Sequence, residues 1–214
     1  MIDLMETLYY LPGLILGFTI HEFFHAYVAY KLGDPTAKEQ GRISLNPLKH
    51  VTILGMALFI FAGFGYAKPV LFSPENLKNP RRDEVFIAVA GPLSNFILGI
   101  ILISLFKVFR NLPLNTYISI PLHFYNTYLK YILYFLFFGA YLNFSMCIFN
   151  MLPIPPLDGS HVLLSFLNIS GSIKNNIFKS GGTILFAIIM AGRVLEINIL
   201  PIGRMTNVIM KFFI

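Results

Sequence analysis

The sequence predicts an all-α polytopic membrane protein: a helical bundle of about 4–6 transmembrane segments, with a re-entrant or short β-hairpin element after the first helix. Composition is the first observation behind this. The 214 residues are 56% hydrophobic and only 12% charged, against about 25% charged in an ordinary soluble domain, and the mean hydropathy is +0.70. The second is the spacing of the apolar runs, several of which approach the ~20 residues that cross a bilayer as a helix. The third is the shortness of the polar stretches, none of which could form a separate soluble domain. We therefore expect one domain over 1–214, with core helices at about 8–30, 85–108 and 129–151, a Pro-broken loop at 152–160 and C-terminal helices within 161–214.

Each segment has its own signals. The run 8–30 follows Asp3 and Glu6 rather than a basic n-region, so it reads as a retained helix and not a cleaved signal peptide. Gly33-Asp34-Pro35 ends it with a turn, and the mixed polar and apolar pattern of 37–45 suits a short hairpin. The run 51–66 is short and interrupted by Gly55, Gly63 and Gly65, as a re-entrant segment would be. The runs 85–108 and 129–151 are spanning candidates, as is 182–200. The piece 161–169 is too short to span. The run 201–214, with Arg204 and Lys211, fits an interfacial helix or part of another span.

Loop charge gives a sidedness. No Lys or Arg precedes the first helix, whereas Lys31, Lys38, Arg42 and Lys49 follow it, and Lys78, Arg81 and Arg82 lie in the loop before 85–108. The positive-inside rule then puts the N-terminus outside and both flanks of 51–66 on the cytoplasmic face, so that segment is expected not to cross. The net charge of +6 belongs to these loops and to lipid head groups, not to nucleic acid. The single cysteine, Cys147, excludes a disulfide framework and a cysteine-rich zinc site.

Within the first helix stands His21-Glu22-Phe23-Phe24-His25. Histidines at i and i+4 share a face and can converge on one metal ion, while the glutamate beside them can act as general base on a metal-bound water. Ionisable groups at membrane depth cost at least about 2.5–3.5 kcal/mol each on insertion scales, so three within five residues demand a compensating partner.

A hydrolytic zinc site needs a third protein ligand. Asp158, at the end of Asn150-Met151-Leu152-Pro153-Ile154-Pro155-Pro156-Leu157-Asp158-Gly159, is the best candidate, because broken backbone at membrane depth belongs where it lines a polar cavity. The local sequence equally allows Asp158 to be the N-cap of a following helix. Topology favours the ligand: if 51–66 does not cross, 85–108 runs outward, 129–151 returns, and Asp158 emerges level with His21 and His25.

These residues, with Lys31-Leu32-Gly33-Asp34-Pro35-Thr36-Ala37, Gly41-Arg42, Asn46-Pro47, Ala67-Lys68-Pro69-Val70, Asn79-Pro80-Arg81-Arg82-Asp83 and Ala90-Gly91-Pro92-Leu93-Ser94-Asn95, resemble the site-2 protease family of intramembrane zinc metalloproteases (peptidase M50), in its compact form without a PDZ or CBS domain. The resemblance covers nearly the whole chain. It implies one Zn2+ per chain held by His21, His25 and Asp158, with Glu22 as catalytic base, a polar role near the scissile bond for Asn150, and a three-helix core. Two positions depart from the family pattern: Tyr66 stands where Trp is common, and His161 where Arg is common.

Other polar residues carry weaker expectations. Asn95 is a candidate oxyanion or substrate contact, or a hydrogen-bonding partner between helices. His161 is a candidate outer partner or alternative ligand. His50 is either interfacial or a site residue, and Gly91 and Gly99 are expected to permit close helix contact. The expected activity is an endopeptidase acting in or near the transmembrane segments of membrane proteins, multi-pass in the cell membrane with its site toward the cytoplasm, and open to a regulatory membrane partner. Rival readings are an ion or metal transporter using the same His and Asp cluster, and an inactive protease-like binder of membrane segments. A carrier has no need of Glu22 beside two ligands, and a degenerate binder would be expected to have lost one of the four residues.

Overall fold

The computed structural model describes residues 4–62, 65–111, 122–167, 169, 171–197 and 199–214, side chains being described for somewhat fewer. Three long helices form the body: α1 (Leu4–Lys31), α4 (Pro80–Asn111) and α5 (Leu122–Asn150), with the short helices α2 (Thr36–Glu39) and α3 (Ile53–Ala62) between the first two. The chain then continues through α6 (Asp158–Phe166), α7 (Gly171–Val194) and α8 (Ile202–Phe213).

The three long helices pack on one another. Gly13 of α1 and Gly139 of α5 bring the two backbones into contact, since a Cβ on Gly13 would lie 2.6 Å from Gly139 Cα. Small residues are the usual means of such close approach between membrane helices. Gly99 of α4 similarly receives the Phe144 ring. The core is built from Leu98, Leu102, Ile103, Leu136, Ala140 and Phe144, closed on one side by Met210 of α8. Pro80 opens α4 at the position where its missing N–H costs nothing, and Asp83 Oδ2 accepts the Asn79 N–H at 2.9 Å to cap that end.

The outer surface is apolar. Phe86, Leu93, Ile97, Ile101, Leu105 and Val108 are all half or nearly half exposed and follow one another by three, four or seven residues along α4, an outward stripe that suits hydrocarbon rather than water. Among the described residues two helices are long and apolar enough to cross a membrane, Pro80–Asn111 and Tyr128–Asn150. α1 has the length, but Thr19, His21, Glu22 and His25 interrupt its apolar run and are all buried inward. The expected span at 182–200 is not one of these two helices: α7 ends at Val194, with a turn and positive-φ Glu196 beyond it. α8 buries Thr206 and Met210, one turn apart, and Thr206 Oγ1 bonds Ser145 Oγ of α5 at 2.9 Å.

The hairpin expected over 37–45 is not formed, and no strand occurs among the described residues. Hydrogen bonding to the Asp34 side chain wins instead. Asp34 Oδ1 accepts the Thr36 N–H at 3.1 Å and the Asn76 amide at 2.8 Å, while Oδ2 accepts the Ser73 N–H at 2.8 Å. This starts α2 as a single turn, ended at Gly41 with φ 65°. Burial pushes the Asp34 carboxyl up, but these donors outweigh it and hold it below its ordinary value.

The segment after it closes on itself. Val51 and Ala67 form an isolated antiparallel bridge, and the Lys68 N–H donates to His50 O at 2.7 Å. Arg42, buried, donates to both Lys49 O and Lys68 O and so ties the two ends together. Between them α3 has 10 residues, about 15 Å of helix against ~30 Å of hydrocarbon. The two ends of the segment thus lie side by side.

Candidate metal centre

α1 places His21 and His25 one turn apart and facing inward, 5% and 8% exposed. Asp158 arrives from the far side as the first residue of α6, after the three-proline loop has turned the chain back from α5. It is not an N-cap: that position is Leu157, and no side chain caps the helix. Gly159 makes the approach possible, because a Cβ there would run into the main chain of Met151 and Leu152.

The three ligand-type atoms converge. His21 Nε2 lies 2.9 Å from His25 Nε2, and Asp158 Oδ2 lies 3.2 and 3.4 Å from the two nitrogens. Two ligands on a tetrahedral zinc at 2.0–2.1 Å are about 3.3 Å apart, so the triangle has the required size. The hydrogen bonding agrees. His25 Nδ1 faces the Ile87 carbonyl at 2.7 Å, and His21 Nδ1 faces Asn95 Oδ1 at 2.6 Å. Both partners accept, so both Nδ1 atoms carry the proton and both Nε2 atoms present lone pairs. Asp158 Oδ2 is buried, and among the described residues no hydrogen-bond donor reaches it. Three buried lone-pair donors directed at one point need a cation, and their N and O chemistry with one side left free fits zinc in a hydrolytic site.

Gly91 of α4 forms the floor. A Cβ there would strike His25 Nε2 and lie 2.7 Å from His21 Cε1, so its role goes beyond helix contact. Glu22 points to the neighbouring side, where Oε2 accepts the Val70 N–H at 3.0 Å and Arg42 Nη2 stands 3.9 Å away. The stretch that follows Ala67 thus reaches the carboxylate through Val70.

Of the weaker candidates, Asn95 is relocated. It is fully buried, and its amide is used up by His21, Gly17 O at 3.1 Å and Asn143 Oδ1 at 2.8 Å, so it supports His21 rather than facing a substrate. Asn150 turns back on its own helix, donating to Met146 O at 3.0 Å. His161 points at Glu84 Oε1, 2.7 Å away, instead of the triad. Glu84 also takes Lys174 Nζ and Ser165 Oγ, and so fastens α6 and α7 to the start of α4. His50 is fully buried with Nε2 on Ser44 O at 2.6 Å, and burial holds it neutral, below its ordinary value. It braces the loop and does not enter the triad.

Sequence reading missed Asn143, Glu84 and Arg42. A lone amide within an apolar span, an acid at the start of one and a basic residue destined for burial were the available signals.

Comparison with known proteins agrees with this geometry. The family model described as Peptidase family M50 matches residues 9–192. The chain is 38% identical over 184 residues to YwhC of Bacillus subtilis, named as a candidate zinc metalloprotease, covering 85% of this chain and 79% of that protein. It is 28% identical over 165 residues to Rip2 of Mycolicibacterium smegmatis, named likewise, covering 74% and 57%. To the zinc metalloprotease MJ0392 of Methanocaldococcus jannaschii it is 29% identical over 191 residues, covering 88% and 44%. The chain thus spans about half the length of the last two. No solved structure matches.

Proposed function

We propose that this chain, which belongs to peptidase family M50, the site-2 proteases, is an intramembrane zinc endopeptidase that cleaves peptide bonds in or near transmembrane segments of other membrane proteins. The convergence of His21, His25 and Asp158 on one buried point carries the reading. In it, those three residues hold the metal, Glu22 is the general base, and 1–214 act as a single domain of about 4–6 membrane segments.

Zinc held there would supply a Lewis acid and would lower the pKa of a bound water toward about 7. The rest falls to the chain. Glu22 takes a proton from the attacking water and returns it to the leaving amine. The Val70 N–H and Arg42 hold its carboxylate in register for both transfers. The buried triad and the closed segment 51–68 keep bulk water from the reacting bond. A substrate helix must unwind locally, since its peptide groups are otherwise paired and shielded. Asn150, at the broken end of α5, is suited to hold the unwound strand or the developing oxyanion once its amide turns from Met146 O.

The basic loops support a cytoplasmic site, with Lys31, Lys38, Lys49, Lys78, Arg81 and Arg82 on that side. Arg42 belongs to the clamp and no longer counts toward orientation. Peptidase relatives and an intact Glu22 leave the transporter reading without support.

Glu22→Gln should retain zinc and lose at least ~100-fold in turnover. Comparing membrane proteomes of cells carrying wild type and E22Q should reveal uncut substrates accumulating in the variant. Unaltered turnover by purified E22Q would overturn the assignment.

A further inference from the structure

Behind His21 runs an uninterrupted line of buried polar groups that none of the chemistry above requires. His21 Nδ1 meets Asn95 Oδ1 at 2.6 Å, Asn95 Nδ2 meets Asn143 Oδ1 at 2.8 Å, and Asn143 Nδ2 meets Gly139 O at 2.8 Å, with Gly13 O at 3.5 Å. Both asparagines are 0% exposed. The line crosses all three core helices, from α1 to α4 to α5.

An amide can present either its oxygen or its nitrogen to a neighbour at almost the same shape, and the choice decides which nitrogen of His21 is protonated. If Asn95 offered its NH2 group, His21 Nδ1 would have to accept, the proton would move to Nε2, and the lone pair would be lost from the triad. Asn95 is prevented from turning by what lies behind it. Its nitrogen sits between two acceptors, Gly17 O and Asn143 Oδ1. Asn143 is fixed in turn, because its nitrogen faces main-chain carbonyls, which can only accept. Gly139 O lies one turn back on α5 itself, and Gly13 O is brought near by the Gly13–Gly139 contact between the α1 and α5 backbones. The polarity therefore starts at the peptide backbone, where it cannot be reversed.

We propose that Asn143 is a positioning residue for the metal centre: through Asn95 it sets the tautomer of His21 and keeps the Nε2 lone pair directed at the metal. The inference rests on His21 being a zinc ligand. Asn143 touches neither metal nor substrate. Its effect reaches the site only through Asn95, which gives it a thermodynamic signature.

The test is zinc affinity of the full chain in detergent micelles, measured by competition with a chromophoric chelator and needing no turnover. Asn95→Leu should weaken zinc binding by about 10–100-fold and Asn143→Leu by about 10-fold, as loss of an outer hydrogen-bonding partner does. The double variant should bind no more weakly than N95L, because Asn143 acts only through Asn95. If N143L does not fold, Asn143→Ser, smaller and too short to reach Asn95, carries the same expectation. Wild-type affinity in N143L or N143S, or losses in the double variant that multiply, would overturn the role of Asn143. His21→Ala separates the two levels: if it leaves zinc affinity intact, the ligand assignment itself fails, whatever Asn143 does.

Discussion

Gly91→Ala offers the sharpest test of the centre, because a single methyl group would occupy the space against which both imidazoles rest. The added Cβ would lie 2.6 Å from His25 Cε1 and 2.7 Å from His21 Cε1, with His25 Nε2 closer still. Ordinary contact requires about 3.5 Å or more, so both rings must retreat by nearly 1 Å. Neither can do so freely, since each Nδ1 is tethered behind, to Ile87 O and to Asn95 Oδ1. Metal–ligand distances tolerate only about ±0.2 Å, and a misplacement near 1 Å at a reacting centre costs on the order of 100-fold. We expect G91A to bind zinc about 10–100-fold more weakly than wild type, the scale on which disturbing a site's supporting contacts costs metal affinity. Gly99→Ala is the control, since its Cβ meets the Phe144 ring at 2.7 Å, an overpacking of the same kind placed in the core cluster. It should cost about 1–3 kcal/mol of stability and leave zinc affinity unchanged. Chelator competition on detergent-purified protein, with thermal melts of the metal-free forms, reads both effects. Wild-type zinc affinity in G91A, or equal loss in G99A, would refute the reasoning.

Arg42→Lys should behave as a severe change, because one ammonium cannot replace a planar fork serving both Lys49 O and Lys68 O. Limited proteolysis between residues 50 and 72 should become at least ~10-fold faster, on the order of one lost charged hydrogen bond. Cysteines at Val51 and Ala67, in a Cys147→Ser background, should form a disulfide readily, since an antiparallel pair holds its Cα atoms about 4.5–5.5 Å apart. Failure to cross-link, or labelling of the two cysteines from opposite membrane faces, would remove the re-entrant closure. Asp34 carries a pH dependence. Its carboxyl is held below its ordinary 3.8, so its contribution is complete above that value and fades as pH falls through the lower folded value. The melting gap between wild type and Asp34→Asn should therefore be full at neutral pH and narrow below about pH 4.

The sequence made some of this legible, and the boundary has a physical cause. His21 and His25 are brought together by helical period, and Asp158, which its local sequence left between a ligand and an N-cap, joins them in space. The pairing of Val51 with Ala67 across the stretch 51–66 fits its short length and interrupting glycines. Residues whose purpose depends on how one helix is rotated against another were not legible. Asn95 and Asn143 differ from ordinary helix-bridging amides only in the register of α4 and α5 about their axes, a long-range property that no local pattern encodes. Arg42 looked like a loop charge because nothing nearby in sequence announces the two carbonyls it ties. His161 sits three residues from Asp158 on a helix, which suggested a common target, yet Glu84 from α4 supplies a stronger partner on another side. The hairpin over 37–45 failed for a related reason: donors from 73 and 76 on Asp34, remote in sequence, help fix the turn that replaces it.

The division of the proposed ligands between α1 and α6 bears on when the protein becomes dangerous to its surroundings. His21, Glu22 and His25 are synthesised early, with the first helix. Asp158 follows only after α4 and α5 have been made and the three-proline turn has brought the chain back. During that interval the growing protein holds the proposed base and two of the proposed ligands but not the third. Proteolytic competence is thus deferred by chain order itself, and a helix bundle able to cut unwound segments is not assembled until its own have been put away.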